Sequence, residues 1–395
     1  MTTVIERTPH LQTKLPAVGT TIFSVMSALA LQSNAVNLGQ GFPDFDCDPK
    51  LIGAVTDAMT QGLNQYPPMP GVPVLREAIS NKLLKLHGRS YNANTEITVT
   101  AGATQAIITA ILAIVHAGDE VIVLEPCYDS YVPNIELAGG VVVRVPLGSS
   151  ASPGTFRPDF DKISAAITPK TRAILINSPH NPSATVWSEA DMLKLQDLLA
   201  PTNVLLISDE VYEHMVFDAE HGQIHHSAAR FAGLAARAFI VSSFGKTYHV
   251  TGWKVGFVAA PAALMAEFRK VHQFNVFTVN TPVQYGLASY MTNERAYLDL
   301  PAFYQRKRDL FRAGLAATRF KLLPSEGSYF QCVDISEVTD LNEADFCKWL
   351  TTEIGVAAIP LSAFYSSGFD QRVVRFCFAK KDDTLNAALA RLARL

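Results

Sequence analysis

The chain has 395 residues, 17% of them charged and 48% hydrophobic, with a net charge of −3 at pH 7. That length allows about two or three ordinary domains, and the composition supplies a full core and excludes the disordered class. No block of Lys or Arg marks a nucleic-acid or acidic-lipid footprint, so the expected partners are small molecules and further copies of the chain.

Met1 to His10 carries Glu6, Arg7 and His10 and no apolar signal core. The longest near-continuous apolar run, Ala106 to Val115, is too short to span a bilayer, and a cytoplasmic location is expected. Five scattered cysteines (Cys47, Cys127, Cys332, Cys347, Cys377) form no C-x-x-C pair. They read as reduced, buried thiols; no zinc site or disulfide framework is expected.

Along the chain, Val36 to Gly41 reads as a strand running into a tight glycine turn. Thr104 to His116 and Ser188 to Ala200 read as helices. Glu120 to Leu124, Val141 to Val145, Arg172 to Asn177, Val204 to Ser208, Phe239 to Ser242 and Val255 to Ala259 read as buried strands. Apolar strands separated by helices predict a mostly parallel sheet covered on both faces. A charged helix over Asn293 to Thr318, then strands at Tyr329 to Val333 and Val373 to Phe378, predict a smaller α+β domain. The expected division is a large domain over 45–285 and a small one built from 1–44 and 286–395.

Parallel sheets bind ligands at the carboxyl ends of their strands, and polar residues stand there in this chain. Lys246, in Ser242-Ser-Phe-Gly-Lys246, is either a solvated surface lysine or a Schiff-base lysine made nucleophilic by desolvation. Asp209 is either the N-cap of Glu210-Val-Tyr212 or an anion for a pyridinium nitrogen, with Tyr212 on the same face. Asn181 lies in a turn fixed by two prolines, or donates an amide to the same ligand. Ala103 and Thr104 open a helix after Gly102, a place for a phosphate or an ordinary capped turn; Ser243 and Lys254 can reach the same anion. Tyr128 either stacks on a ring or fills the core. Arg375 interrupts an apolar strand and requires an anion, a substrate carboxylate or an acidic side chain.

In this order the motifs resemble the class I/II aminotransferases of fold type I, enzymes of pyridoxal 5'-phosphate (PLP). Asn37-Leu-Gly-Gln-Gly-Phe-Pro-Asp44, Asn64-Gln-Tyr66, Ser243-Phe-Gly-Lys-Thr247 and Thr251-Gly-Trp-Lys-Val-Gly256 are similar to the kynurenine/glutamine aminotransferase branch. Tyr66-Pro-Pro-Met-Pro-Gly71 and Ser178-Pro-His-Asn-Pro-Ser-Ala-Thr185 look closest to the bacterial methionine aminotransferases. The resemblance covers about Asn37 to Phe378.

It implies an α/β architecture around a mostly parallel seven-stranded sheet, a ping-pong amino transfer to a 2-oxo acid, and a homodimer with shared sites. By the same resemblance Lys246 holds PLP and acts as base. Asp209 pairs with the ring nitrogen, and Asn181 and Tyr212 with the phenolic oxygen. Ala103, Thr104, Ser243 and Lys254 hold the phosphate, joined by Tyr66 of the neighbouring subunit. Tyr128 covers the ring, Arg375 clamps the substrate carboxylate, and Gly41 lets the substrate approach. Phe23 and Phe277 fall where relatives place aromatic residues around the substrate side chain. Three departures stand out: Ala103 for Gly, Ser183-Ala184 for Thr-Gly, and Lys254 for the Arg of the aspartate branch. Methionine, glutamine, phenylalanine and kynurenine are the donors expected, and a carbon–sulfur β-lyase on the same scaffold is the alternative. A PLP-dependent transcription regulator is disfavoured, because 36 residues before Asn37 are too few for a DNA-binding domain.

Overall fold

The computed structural model describes residues 12–148 and 154–395; Met1 to His10, where the missing signal core was read, lie outside them. Its strands in chain order are β1 (Val36–Asn37), β2 (Ile97–Thr100), β3 (Glu120–Glu125), β4 (Val141–Pro146), β5 (Thr171–Asn177), β6 (Leu205–Asp209) and β7 (Ala238–Ser243). They continue as β8 (Gly256–Ala259), β9 (Lys321–Leu322), β10 (Phe330–Asp334), β11 (Val356–Ala357), β12 (Ile359–Pro360) and β13 (Val373–Cys377).

Seven strands form the main sheet in the order β2-β8-β7-β6-β5-β3-β4. β3 to β7 are parallel, while β8 runs antiparallel to both of its neighbours. Successive residues of each strand face opposite sides, as a period of two demands. Ile207, Val241 and Val258 join one apolar layer under the helices Gly102–Ile114 and Ala262–Asn275. Leu206, Ile240 and Phe257 join the other, with Leu195 and Leu199 of the helix Glu189–Leu199. That helix starts at a reciprocal cap between Ser188 and Asp191.

A second, antiparallel sheet runs β12-β13-β10-β9, and β1 pairs in parallel with β11, so the segment at Val36 and the last hundred residues fold together. The register sets Asn177 level with Asp209 at the carboxyl end of the main sheet. Asp209 is level with Val241, and Ser243, Gly256 and Thr100 align two residues further along.

Two expectations need correction. The helix expected over Asn293 to Thr318 is broken into Arg295–Leu298 and Leu300–Leu315. Pro301 lies in the first turn of the second piece, where its missing N–H costs nothing; further in it would cost a bond. Asp209 caps no helix: a turn follows β6, and its Oδ1 accepts the backbone N–H of Val211 at 3.3 Å.

Candidate active site

The carboxyl ends of β5, β6 and β7 open into a cavity of about 280 Å³. Every residue expected at the site lines it except Tyr66 and Phe277: Phe23, Gly41, Ala103, Thr104, Tyr128, Asn181, Asp209, Tyr212, Ser243, Lys246, Lys254 and Arg375.

Asp209 is the last residue of β6 and only 4% exposed. Its Oδ2 accepts the Tyr131 hydroxyl at 2.5 Å, and Asn177 holds its backbone carbonyl at 2.9 Å. Burial pushes its carboxyl up to about 6, against the lowering pull of Tyr131, Val211 and Lys246. Lys246 follows β7 in the short helix Phe244–Thr247. Its Nζ donates to the Tyr329 hydroxyl at 2.6 Å and to the Gly41 carbonyl at 3.2 Å. Burial pushes this amine down to about 8, and Arg375 and Lys254 press the same way. A lysine at the ordinary value would be almost wholly ammonium near neutrality; this one has a usable neutral fraction.

The far wall is a helix N-terminus. Gly102, at φ +79°, turns β2 into the helix Gly102–Ile114, and no side chain caps it. Its first N–H groups, including those of Ala103 and Thr104, face the cavity with Ser243 and Lys254. The Lys254 Nζ stands 3.4 Å from where a Gly102 Cβ would lie, so charge and open backbone converge. The Tyr128 hydroxyl faces Thr104, and burial raises its pKa.

Arg375, on β13, is 1% exposed. Its guanidinium donates to Asn181 Oδ1 at 2.6 Å and to the Gly39 carbonyl at 3.1 Å, and stands 4.0 Å from the centre of the Phe330 ring. Nε has no hydrogen-bond partner, and among the described residues no carboxylate lies within ion-pair distance. The acidic side chain offered as a rival explanation for Arg375 is not there. A buried, partly satisfied guanidinium is set to take a carboxylate from outside.

Tyr66 and Phe277 lie elsewhere. Tyr66 is 81% exposed and its ring meets Phe277 edge-on at 5.3 Å, outside the cavity of its own chain. Phe277 sits at φ +68° at a turn after Ala262–Asn275, which holds it on the surface. Sequence reasoning missed Tyr131 and Tyr329. Tyr131 carried a signal, three residues after Tyr128; Tyr329 carried none, because its partners are remote in the chain.

The family model for class I and II aminotransferases matches residues 33–392. Methionine aminotransferase of Escherichia coli is 51% identical over 97% of this chain and 98% of that protein. Kynurenine–oxoglutarate transaminase of Dictyostelium discoideum is 36% identical over 95% and 94%. The crystal structure of E. coli YbdL, whose reactivity identified a methionine aminotransferase function, superposes with a TM-score of 0.95 at 50% identity, covering 98% of this chain and all of that one. The chain therefore belongs to the class I and II aminotransferases, PLP-dependent enzymes of fold type I.

Proposed function

We propose that this aminotransferase acts on neutral amino acids with a sulfur-containing or aromatic side chain, methionine first among them, and that the residues around the cavity divide the work as follows. The cavity fits PLP. A buried carboxyl (Asp209) bonded by Tyr131 stands at one wall, an amine of lowered pKa (Lys246) at the floor, and an uncapped helix N-terminus with a cation (Lys254) opposite.

When bound, the cofactor supplies an electron sink for the substrate Cα. Lys246 is its attachment residue. With its amine free, Lys246 would take the proton from the substrate Cα and give it back as general acid. Asp209 holds the ring nitrogen protonated, and Tyr131 keeps that carboxylate oriented. Asn181 and Tyr212 address the phenolic oxygen, and Tyr128 covers the ring. Ala103, Thr104, Ser243 and Lys254 carry the phosphate. Arg375 takes the substrate carboxylate, and Gly41 keeps the approach open.

Side-chain preference follows from what surrounds Arg375. Phe23, Tyr128 and Phe330 are aromatic. An adjoining cavity beyond Phe23 and Tyr128 is lined by Glu125, Asp129 and Glu136, and its Arg144 stands 3.4 Å from Glu125. Among the described residues a distal carboxylate meets no free cation there and the unpaired carboxyls of Asp129 and Glu136, so acidic donors are disfavoured. Glutamine, phenylalanine and kynurenine remain further candidates.

We also propose a homodimer, in which Tyr66 reaches the partner's phosphate site and Phe277 its side-chain pocket. The domains would divide at about residues 44 and 285, and the enzyme would work in the cytoplasm. Among the described residues no helix is long and apolar enough to cross a membrane.

The observation that carries the assignment of roles is that Lys246, Asp209 and Arg375 face one cavity from three separate stretches of chain. Borohydride reduction of the holoenzyme followed by peptide mapping tests it. Label on Lys246 is expected; label on any other lysine would overturn it. A screen of single amino acids for loss of the yellow colour of the enzyme orders the donors, with methionine expected well ahead of aspartate.

A further inference from the structure

We propose that Tyr329 is the positioning residue that fixes where the released Lys246 amine stands and which way its lone pair faces. This rests on the reading of Lys246 as attachment residue and base, and adds a partner that acts through it.

Tyr329 is fully buried and reaches the site from a remote part of the chain, just before β10, after Ser328 turns the backbone at φ +63°. Its hydroxyl donates to the Gly41 carbonyl. Having placed its only proton there, the oxygen can only accept from Lys246, whose Nζ stands 2.6 Å away. The same Nζ donates to the Gly41 carbonyl at 3.2 Å. The three polar groups form a closed triangle.

A neutral primary amine has two N–H bonds and one lone pair. Tyr329 and Gly41 use both N–H bonds, so the lone pair is the one valence left, and the open side of Lys246 is the cavity. The protonated form has a third N–H in that same direction. The proton can thus be taken and returned on the cavity side without moving the nitrogen. A lysine side chain left free would spread over many rotamers; two acceptors restrict it to one. Tyr329 is itself held: Tyr212 packs against its ring edge-on at 5.1 Å, Phe330 at 4.9 Å and Tyr304 at 5.9 Å.

The test is Tyr329→Phe, which removes the oxygen and keeps the ring. In steady-state amino transfer from methionine to a 2-oxo acid, kcat is expected to fall about tenfold or more while KM stays within about twofold, because orientation and not binding is lost. The isotope effect from deuterium at the substrate Cα should rise, since proton transfer becomes slower relative to the other steps. In the cofactor-free enzyme, trinitrobenzenesulfonate should label Lys246 at least about threefold more slowly above its pKa, because the lone pair is no longer held facing the cavity. Tyr304→Phe, which removes a neighbouring hydroxyl with no hydrogen-bond partner, should leave all three readouts unchanged. If Tyr329→Phe does not fold, 3,5-difluorotyrosine at position 329 keeps the shape and weakens the oxygen as an acceptor. A fall in kcat of about two- to fivefold with a raised isotope effect is then expected.

Unchanged kcat in either variant overturns the proposal. So does a fall in kcat with isotope effect and labelling both unmoved, which marks a purely structural loss. Failure of the underlying reading looks different: borohydride would then miss Lys246 in the unaltered enzyme.

Discussion

Lys246 and Asp209 are shifted in opposite senses by the same cause. Burial disfavours whichever form is charged, so the amine titrates at about 8 and the carboxyl at about 6. In the attachment role proposed for Lys246, only the neutral amine can capture the cofactor aldehyde. The rate of reloading the cofactor-free enzyme with PLP should therefore rise with pH and level off above about 8. Stopped-flow absorbance checks this, and a rise continuing towards the ordinary lysine range would contradict it. Tyr131 donates the hydrogen bond that keeps the Asp209 carboxylate ionised. In Tyr131→Phe that carboxyl should titrate higher still, and kcat should fall about tenfold or more, the size of a lost bond to a charged group. The loss should deepen as pH falls, which a kcat–pH profile reads directly.

At the scale of elements, β8 is the tightest joint in the site. A Cβ on Gly256 would lie 2.6 Å from the Ser242 carbonyl and 3.3 Å from the Ala103 N–H. Gly256→Ala must push β7 and the phosphate-facing turn apart. It should destabilise the protein by about 1–3 kcal/mol, the usual cost of overpacking, and loosen the cofactor. Denaturant midpoints and PLP dissociation measure the two. The sequence made the parallel strands legible because they are buried on both faces and read as apolar runs. It did not reveal β2, four residues in which Ile97 and Val99 alternate with Thr98 and Thr100 within a polar stretch. Nor did it reveal that β8 runs against its neighbours, since strand direction is set by partners and not by composition. The break at Pro301 was written in the chain, yet charge periodicity on both sides of it suggested one continuous helix.

Over the whole molecule the site gathers three remote stretches: Phe23 to Gly41, Ala103 to Lys254, and Tyr329 to Arg375. The residues legible in advance follow strands and sit in local motifs. Tyr329 was not, because its partner Lys246 is 83 positions away, and the spacing of Tyr131 from Tyr128 did not name its partner Asp209, 78 positions away. Burial also holds four histidines neutral: His180, His249 and His272 at about 4, and His214 at about 3. Each takes up its proton only on unfolding. The unfolded chain then binds more protons, and stability falls as pH drops from the ordinary histidine value of 6.5 towards 4. Asp129, Asp209 and Glu343, whose carboxyls burial raises, act in the other direction, while the lowered carboxyls of Glu210 and Glu213 act with the histidines. The melting temperature should drop by about 5 °C or more between pH 7 and pH 5, measured by calorimetry.

Arg375 has a practical consequence for anyone handling the enzyme. In the role proposed for it, its guanidinium would take the carboxylate of any small organic acid as it takes that of an amino acid. Acetate, formate or propionate in a storage buffer should compete with substrate and, by the same contact, protect the protein from heat. Assays run in such salts will understate its affinity for amino acids.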